Sequence, residues 1–267
     1  MDKSIGGIVM RVTALVENTT KDRAILPEHG LSLFIETEKH KILFDMGQTD
    51  VFTKNAEKLG IDLSEVDIAV VSHGHYDHGG GLEKFLEINK KAPVYISRFA
   101  FEPHFNAEGK YIGLNTDLAV NERLILTGEE TVLDDGLVLF SCNDKKRPHY
   151  MGSFGLGMEQ DGDVVPDDFR HEQYLLINEN GKKTLISGCS HKGVMDIVDW
   201  FEPDVLIGGF HYSKLPLGDT LKESAMYLDK FKTEYYTCHC TGTSQYDFMK
   251  VYMKDLNYFH CGDSIVI

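Results

Sequence analysis

An α/β fold with one site shared by several strand ends is predicted by three observations. A short apolar strand, a loop bearing histidine and a helical pattern recur along the chain, first as DIAVV, SHGHYDHGGG and LEKFLEINKK. One of those loops carries the string H-x-H-x-D-H immediately after its strand. No Pro/Gly/Ser linker, internal repeat or low-complexity tract interrupts the 267 residues, so one continuous domain over 1–267 is expected.

Alternation and β-branched residues predict strands over Ile8 to Val16 and Leu31 to Thr37, then Lys41 to Phe44. A polar loop leads to a helix near Val51 to Leu59, ended by Gly60. The recurring unit begins with Asp67 to Val71 and returns at Lys183 to Ser187, which runs into GCSHKG and the helical VMDIVDWF. Two more copies follow, Val205 to Gly209 into FHYSKL and Tyr235 to Cys238 into HCTGTS. Strand ends of open α/β sheets converge on a crevice where ligands bind, so the His-bearing loops imply one site. HEQYLLI reads as the start of a hairpin that turns at Asn180-Gly181 before Lys183. The stretch from about Phe101 to Asp168 reads as a loop-rich insertion covering substrate, with one strand near Gly136 to Ser141.

Composition narrows the function classes. With 42% hydrophobic and 26% charged residues the chain is an ordinary soluble globular one rather than disordered or fibrous. A net charge of -15 repels nucleic-acid backbones and anionic lipid, so neither is an expected partner. Five cysteines are too few and too clustered for a disulfide framework, which points to a reducing compartment. The opening lacks an apolar leader core, and no apolar run is long enough to span a bilayer. A cytoplasmic protein without a membrane partner is expected.

His73, His75, Asp77 and His78 make up the H-x-H-x-D-H string. With 12 His in the chain, three at these offsets arise by chance roughly once per ten thousand starts, which disfavours a polar turn with incidental histidines. Alternate residues of an extended loop point the same way, so His73 and His75 can share one metal. Asp77 and His78, entering the next helix, can serve a second. Imidazole and carboxylate donors favour zinc, with iron or manganese as alternatives, over magnesium or calcium.

Set after an apolar strand, this string resembles the metallo-β-lactamase superfamily. The resemblance implies an αββα sandwich, two mixed β-sheets flanked by helices, with two divalent transition-metal ions per chain. ILFDMG, with Asp45, resembles the strand-end Asp that supports the ligands from behind, and HCTG, with His239, resembles the last ligand. EHGLSLFIE, SHGHYDHGGGL, GCSHKGVMDIV, GGFHYSKL and TCHCTG together resemble the branch named for 7,8-dihydropterin-6-methyl-4-(β-D-ribofuranosyl)aminobenzene 5'-phosphate synthase. That branch implies metal-assisted departure of a diphosphate from a pterin methylene as an aryl amine attacks it.

The chain departs from the wider superfamily where most members place a bridging Asp. Here Gly188 is followed by Cys189, with His191 two residues on. His191, directly after a strand and before a helix, is read as the third histidine of the first metal, with His171 its rival. Cys189 is a soft-metal ligand or, preferentially, a small side chain at a tight strand end. Cys238 and Cys240 flank His239 and, on an extended backbone, would point away from it into the core. His211 is read as touching substrate or moving a proton, ahead of metal binding or packing. Asp77 and His211 are the candidate catalytic residues. Asp45, Glu28 and Cys189 are expected to back the ligands or meet substrate, and His29 is a further lining candidate. Lys145, Lys146 and Arg147 form a basic run read as solvated, with a phosphate contact as the alternative.

The expected activity is therefore that of a dinuclear metal-dependent enzyme acting on a phosphorylated or diphosphorylated small molecule. A phosphoester or acyl-ester hydrolase of the same superfamily is the first alternative, and a non-catalytic metal-dependent binding module the second. Redox chemistry is disfavoured because diiron relatives resemble H-x-E-x-D-H, with a carboxylate where His75 stands. An RNA-processing nuclease is disfavoured by the acidic charge.

Overall fold

The structure, a computed structural model, describes residues 10–267. The first two residues of the strand expected from Ile8, and half of the opening segment read for a leader, lie outside the described residues. The chain begins with β1 (Arg11–Val16), β2 (Ser32–Glu36) and β3 (Lys41–Phe44), then α1 (Val51–Lys58) and β4 (Ile68–Val71). A single helical turn, α2 (Tyr76–Gly79), precedes α3 (Leu82–Ile88), β5 (Val94–Ser97), β6 (His104–Phe105) and β7 (Leu124–Thr127). Next come β8 (Glu130–Asp134), β9 (Leu137–Phe140), β10 (Gly157–Gln160), β11 (Asp163–Pro166), β12 (Tyr174–Glu179) and β13 (Lys182–Ile186). The last third holds α4 (Val194–Phe201), β14 (Val205–Gly208), α5 (Asp219–Leu228), β15 (Glu234–Thr237), α6 (Thr243–Lys250), β16 (Leu256–Tyr258) and β17 (Ser264–Val266).

Two seven-stranded mixed sheets result, in the orders β17-β1-β2-β3-β4-β5-β7 and β16-β15-β14-β13-β12-β9-β8. Period-two alternation stacks them. In β3 and β4, Ile42, Phe44, Ile68 and Val70 face inward to meet Val205 and Ile207 of β14 across the sandwich. Leu43, Ala69 and Val71 point the other way, onto Phe52 of α1 and Phe85 of α3. Leu206 likewise faces outward toward α4, α5 and α6. The layers are thus helix, sheet, sheet, helix, as the resemblance implied. In each sheet the strands β3, β4 and β5, or β13, β14 and β15, run parallel, so their carboxyl ends share one edge. That edge carries Asp45, Ser72 to His78, Gly188 to His191, His211 and His239.

The segment 101–168 is mostly loop, as its sequence suggests, but it holds six short strands rather than one. It supplies β7 to the edge of one sheet, β8 and β9 to the other, and β6, β10 and β11 to a small third sheet. These strands are short, and several are largely exposed. Ile125 and Leu126 of β7 and Val164 of β11 lie in solvent, which removes the burial alternation that betrays a strand. The hairpin of β12 and β13 turns where expected, with Asn180 at φ 53° and Gly181 at φ 78°.

Candidate metal centre

The loop after β4 bends at His73 and Gly74, is extended at His75 and then enters α2, which puts Asp77 and His78 on the first helical turn as the motif suggests. His73, His75, Asp77, His78, His191 and His239 are all buried. His191 reaches His73 from the second sheet, Nε2 to Nε2 3.3 Å, and His75 stands beside both. On the other side the Nε2 atoms of His78 and His239 are 3.2 Å apart, and Asp77 Oδ2 is 3.3 Å from the latter. The structure therefore brings the six sequence-predicted donors together as two adjoining groups.

The outer nitrogens of three of these rings, His73, His78 and His239, are committed elsewhere. Asp45 Oδ2 accepts from His78 Nδ1 at 2.6 Å and from Ser72 Oγ at 2.7 Å, and its Oδ1 accepts from Ser72 N at 2.6 Å. With its one proton given to Asp45, Ser72 Oγ can only accept at 2.8 Å from His73 Nδ1. Asn18 Oδ1 takes Gly30 N–H at 3.2 Å and His239 Nδ1–H at 2.8 Å. In their neutral forms His73, His78 and His239 thus aim bare Nε2 lone pairs inward. Two nitrogens on one tetrahedral zinc, at about 2.0 Å each, would be about 3.3 Å apart. Lone pairs that close repel unless a cation lies between them, so the donor set fits divalent ions.

The electrostatics agree. Burial and the neighbouring imidazoles hold His73 and His75 well below the usual histidine range, and burial beside His211 does the same to His191. Burial also opposes a charge on His78, but Asp45 and Asp77 outweigh it and raise this ring. Burial works against the Asp77 carboxylate too; His78, His239 and His29 reverse that and hold it well below the usual carboxylate range. His29, from the EHG string, meets Asp77 Oδ2 at 3.3 Å.

Four residues along this edge, Asp45, Ser190, His211 and His239, have left-handed backbones with φ between 47° and 59°. Such conformations cost a non-glycine residue of order 1 kcal/mol and cluster at functional sites. The two sheets also approach closely here. A Cβ at Gly188 would lie 2.2 Å from Ser72 Oγ, so only glycine lets the Cys189 loop come up against the His73 loop.

Several expectations change. Glu28 does not line the centre, because its carboxylate is taken up by the N–H groups of Gln48 at 2.9 Å and Thr49 at 3.0 Å, bracing the loop after Asp45. Cys189, preferentially read as packing, has its Sγ 3.2 Å from His78 Nε2 and within ligand-sharing distance of donors in both groups. Cys240 does not point away from the site. Residues 239–241 form a 3-10 turn rather than a strand, and Cys240 Sγ receives the His211 N–H at 3.3 Å. Cys238 does pack in the core. His171 lies beside His75, but its Nδ1 accepts Gly74 N–H at 2.9 Å, leaving its proton on Nε2 for Asp167 at 3.2 Å. His211 lies against His191, ring centroids 4.3 Å apart and planes tilted by 57°, with a buried Nδ1 that has no partner. Lys145 and Lys146 are exposed, and Arg147 lies over the Tyr150 ring.

Sequence reasoning missed the groups behind the donors. Ser72 was visible only as the neighbour of His73. Glu17 and Asn18 anchor His239 from a loop 221 or more residues away, and nothing local marks them. Glu172 accepts the N–H groups of His191 at 2.7 Å and Lys192 at 3.1 Å. Lys192, pushed down to about 8 by burial, donates to Ser141 O and Glu172 O below that turn. Phe169 stacks on His191 at 4.5 Å, and His104 and Asp167 arrive from the segment read as loops.

A fold of this kind with clustered histidines at its strand ends defines a class, and the match to a family model makes it specific. The chain belongs to the metallo-beta-lactamase superfamily, whose model matches residues 25–229. It is 29% identical over 267 residues to the 7,8-dihydropterin-6-methyl-4-(beta-D-ribofuranosyl)-aminobenzene-5'-phosphate synthase of Methanocaldococcus jannaschii, covering 89% of this chain and 90% of that one. A second protein of that organism, the uncharacterized protein MJ0448, is 29% identical over 245 residues, 86% of this chain and 90% of the other. Among solved structures, Tm1679, described as a metal-dependent hydrolase of the beta-lactamase superfamily, superposes with a TM-score of 0.83 at 27% identity. That match covers 97% of this chain and 99% of that one.

Proposed function

We propose that the chain is a dinuclear metal-dependent enzyme acting on a phosphorylated or diphosphorylated small molecule. The observation that carries this reading is the pair of Nε2 contacts, His73 to His191 at 3.3 Å and His78 to His239 at 3.2 Å, between rings whose outer nitrogens are largely committed elsewhere. His73, His75 and His191 would hold one divalent ion, and Asp77, His78 and His239 the other, with Cys189 between them. Imidazole, carboxylate and thiol donors favour zinc, with iron or manganese as alternatives. When bound, such ions supply Lewis acidity and positive charge at a phosphoryl or acyl oxygen.

The chain's own groups do the remaining work. Asp45 fixes the tautomer of His78 directly and that of His73 through Ser72. Asp77 presents a buried carboxylate able to orient a nucleophile, and His211 stands beside His191 to donate a hydrogen bond or proton to a leaving oxygen. The similarity to a phosphate synthase supports the substrate class, and ions in the centre would offset the -15 charge toward an anionic ligand. That charge also supports an enzyme without nucleic-acid or membrane partners, and five unpaired cysteines support a reducing, cytoplasmic setting. No helix among the described residues is long and apolar enough to cross a membrane.

The test is product analysis. Protein loaded with zinc, iron or manganese is given a panel of phosphoesters and acyl esters and, separately, a pterin diphosphate with a ribofuranosylaminobenzene phosphate. Diphosphate release with a condensed product supports transfer as in the synthase relative. Phosphate or acyl release supports hydrolysis, in line with the description of Tm1679. Tight binding without turnover across the panel would replace the enzyme by a binding module.

A further inference from the structure

Behind His75 lies a second buried group, His104, Asp167 and His171, none of which belongs to the H-x-H-x-D-H string. Asp167 Oδ2 faces His104 Nδ1 at 3.1 Å, His171 Nε2 at 3.2 Å and His75 Nε2 at 4.0 Å. Its Oδ1 accepts the Phe169 N–H at 2.7 Å, which fixes the carboxylate in place. Each short contact here pairs a ring N–H with an oxygen, unlike the facing nitrogens of the metal centre. The His171 tautomer is set by Gly74 N–H, so His171 ties the carboxylate to the backbone between His73 and His75. His75 Nε2 is buried and has no hydrogen-bond partner, and Asp167 is the carboxylate it faces. The approach is built in: a Cβ at Gly74 would fall 2.3 Å from Ala100 O and 3.0 Å from His104 Nε2.

We propose that Asp167, held by His104 and His171, is a positioning residue that orients His75 as a metal ligand, the counterpart for the first ion of what Asp45 does for the second. This rests on the dinuclear reading and deepens it. A carboxylate that takes the outer N–H of a ligating imidazole fixes its ring and raises its basicity, and losing one costs about 10- to 100-fold in metal affinity. The segment 101–168 thereby acquires a role at the centre that its edge-strand position alone would not give it.

Metal affinity, measured by chelator competition with zinc and by cobalt titration of the visible spectrum, tests the clamp. Asp167→Asn should weaken one of two ions by about 10- to 100-fold and leave the other unchanged. The melting temperature of the metal-free protein serves as the fold control. A second pair guards against simple misfolding. His104→Asn can keep an N–H directed at Asp167 and should stay near wild type, whereas His104→Leu, which fills the space without a donor, should lose affinity. Equal affinities for these two variants, or two ions bound with unchanged affinity in Asp167→Asn, would overturn the clamp alone. Three ions in the wild type and two in Asp167→Asn would make the cluster an ion site instead. Wild-type protein that takes up no ion would overturn the dinuclear reading and the clamp with it.

Discussion

His78 and His239, 161 residues apart in sequence, present their Nε2 atoms to each other at 3.2 Å, each ring held from behind by an oxygen acceptor. Without an ion, a proton on His78 can satisfy one of the acceptors gathered there, which is the condition that the raised His78 describes. An ion satisfies them together. The protein is expected to take up close to two transition-metal ions per chain, and His73→Ala or His239→Ala to lower that number sharply. Elemental analysis after reconstitution measures this directly, and metal-free wild type would refute it.

The third histidine of the first ion separates two candidates. His191→Ala should cost one ion even at saturating metal. His171→Ala, which removes a ring already committed to Gly74 and Asp167, should retain two ions with one bound more weakly. The reverse pattern in the same metal analysis would exchange their roles.

His211→Ala should keep fold and metal content and lose about a hundredfold or more in turnover, the scale for removing a general acid or base. His211→Gln should recover part of that loss if donation matters more than proton transfer. Loss of one metal equivalent would move His211 among the ligands, and full activity would remove it from the chemistry.

Cys189 should appear as sulfur about 2.3 Å from zinc in X-ray absorption spectra of the loaded protein. The signal should vanish in Cys189→Ser and persist in Cys240→Ser. A spectrum containing only nitrogen and oxygen neighbours would return Cys189 to packing.

Acid should destabilise the metal-free protein. Burial depresses His73, His75 and His191 well below their unfolded value and His171 to about 4, so these rings are neutral when folded. Below about pH 6.5 the unfolded chain binds protons that the folded one does not, and stability falls with pH. The raised His78 opposes this with a single ring. The melting temperature of metal-free protein is therefore expected to drop from pH 7 to pH 5; a rise would show that His78 dominates.

The parts of this molecule legible in its sequence are those with short-range periodicity. The apolar runs of β3 and β4, the helix from Val194 to Phe201 and the donors fixed to strand ends each declare themselves within ten residues. Asp167 and His104 do not, because their partnership is made by a chain excursion of 63 residues and their flanking strands are short. Cys240 was misread for a local reason, a turn with His239 at φ 47° where extended backbone was assumed.

The donors come from opposite halves of the chain. His73, His75, Asp77 and His78 leave the first sheet, and His191 and His239 the second. Any ion held among them is consequently a rivet through the sandwich at one edge, while the opposite edge is closed by hydrophobic packing and by polar contacts such as His40 to Asp134 at 2.7 Å and Glu38 N–H to Glu179 at 2.8 Å. The strained backbones at Asp45, Ser190, His211 and His239 all lie on the riveted side. On the dinuclear reading, metal supply would bear on the stability of this edge as well as on its chemistry, because ions bound only by the folded chain add their binding free energy to folding.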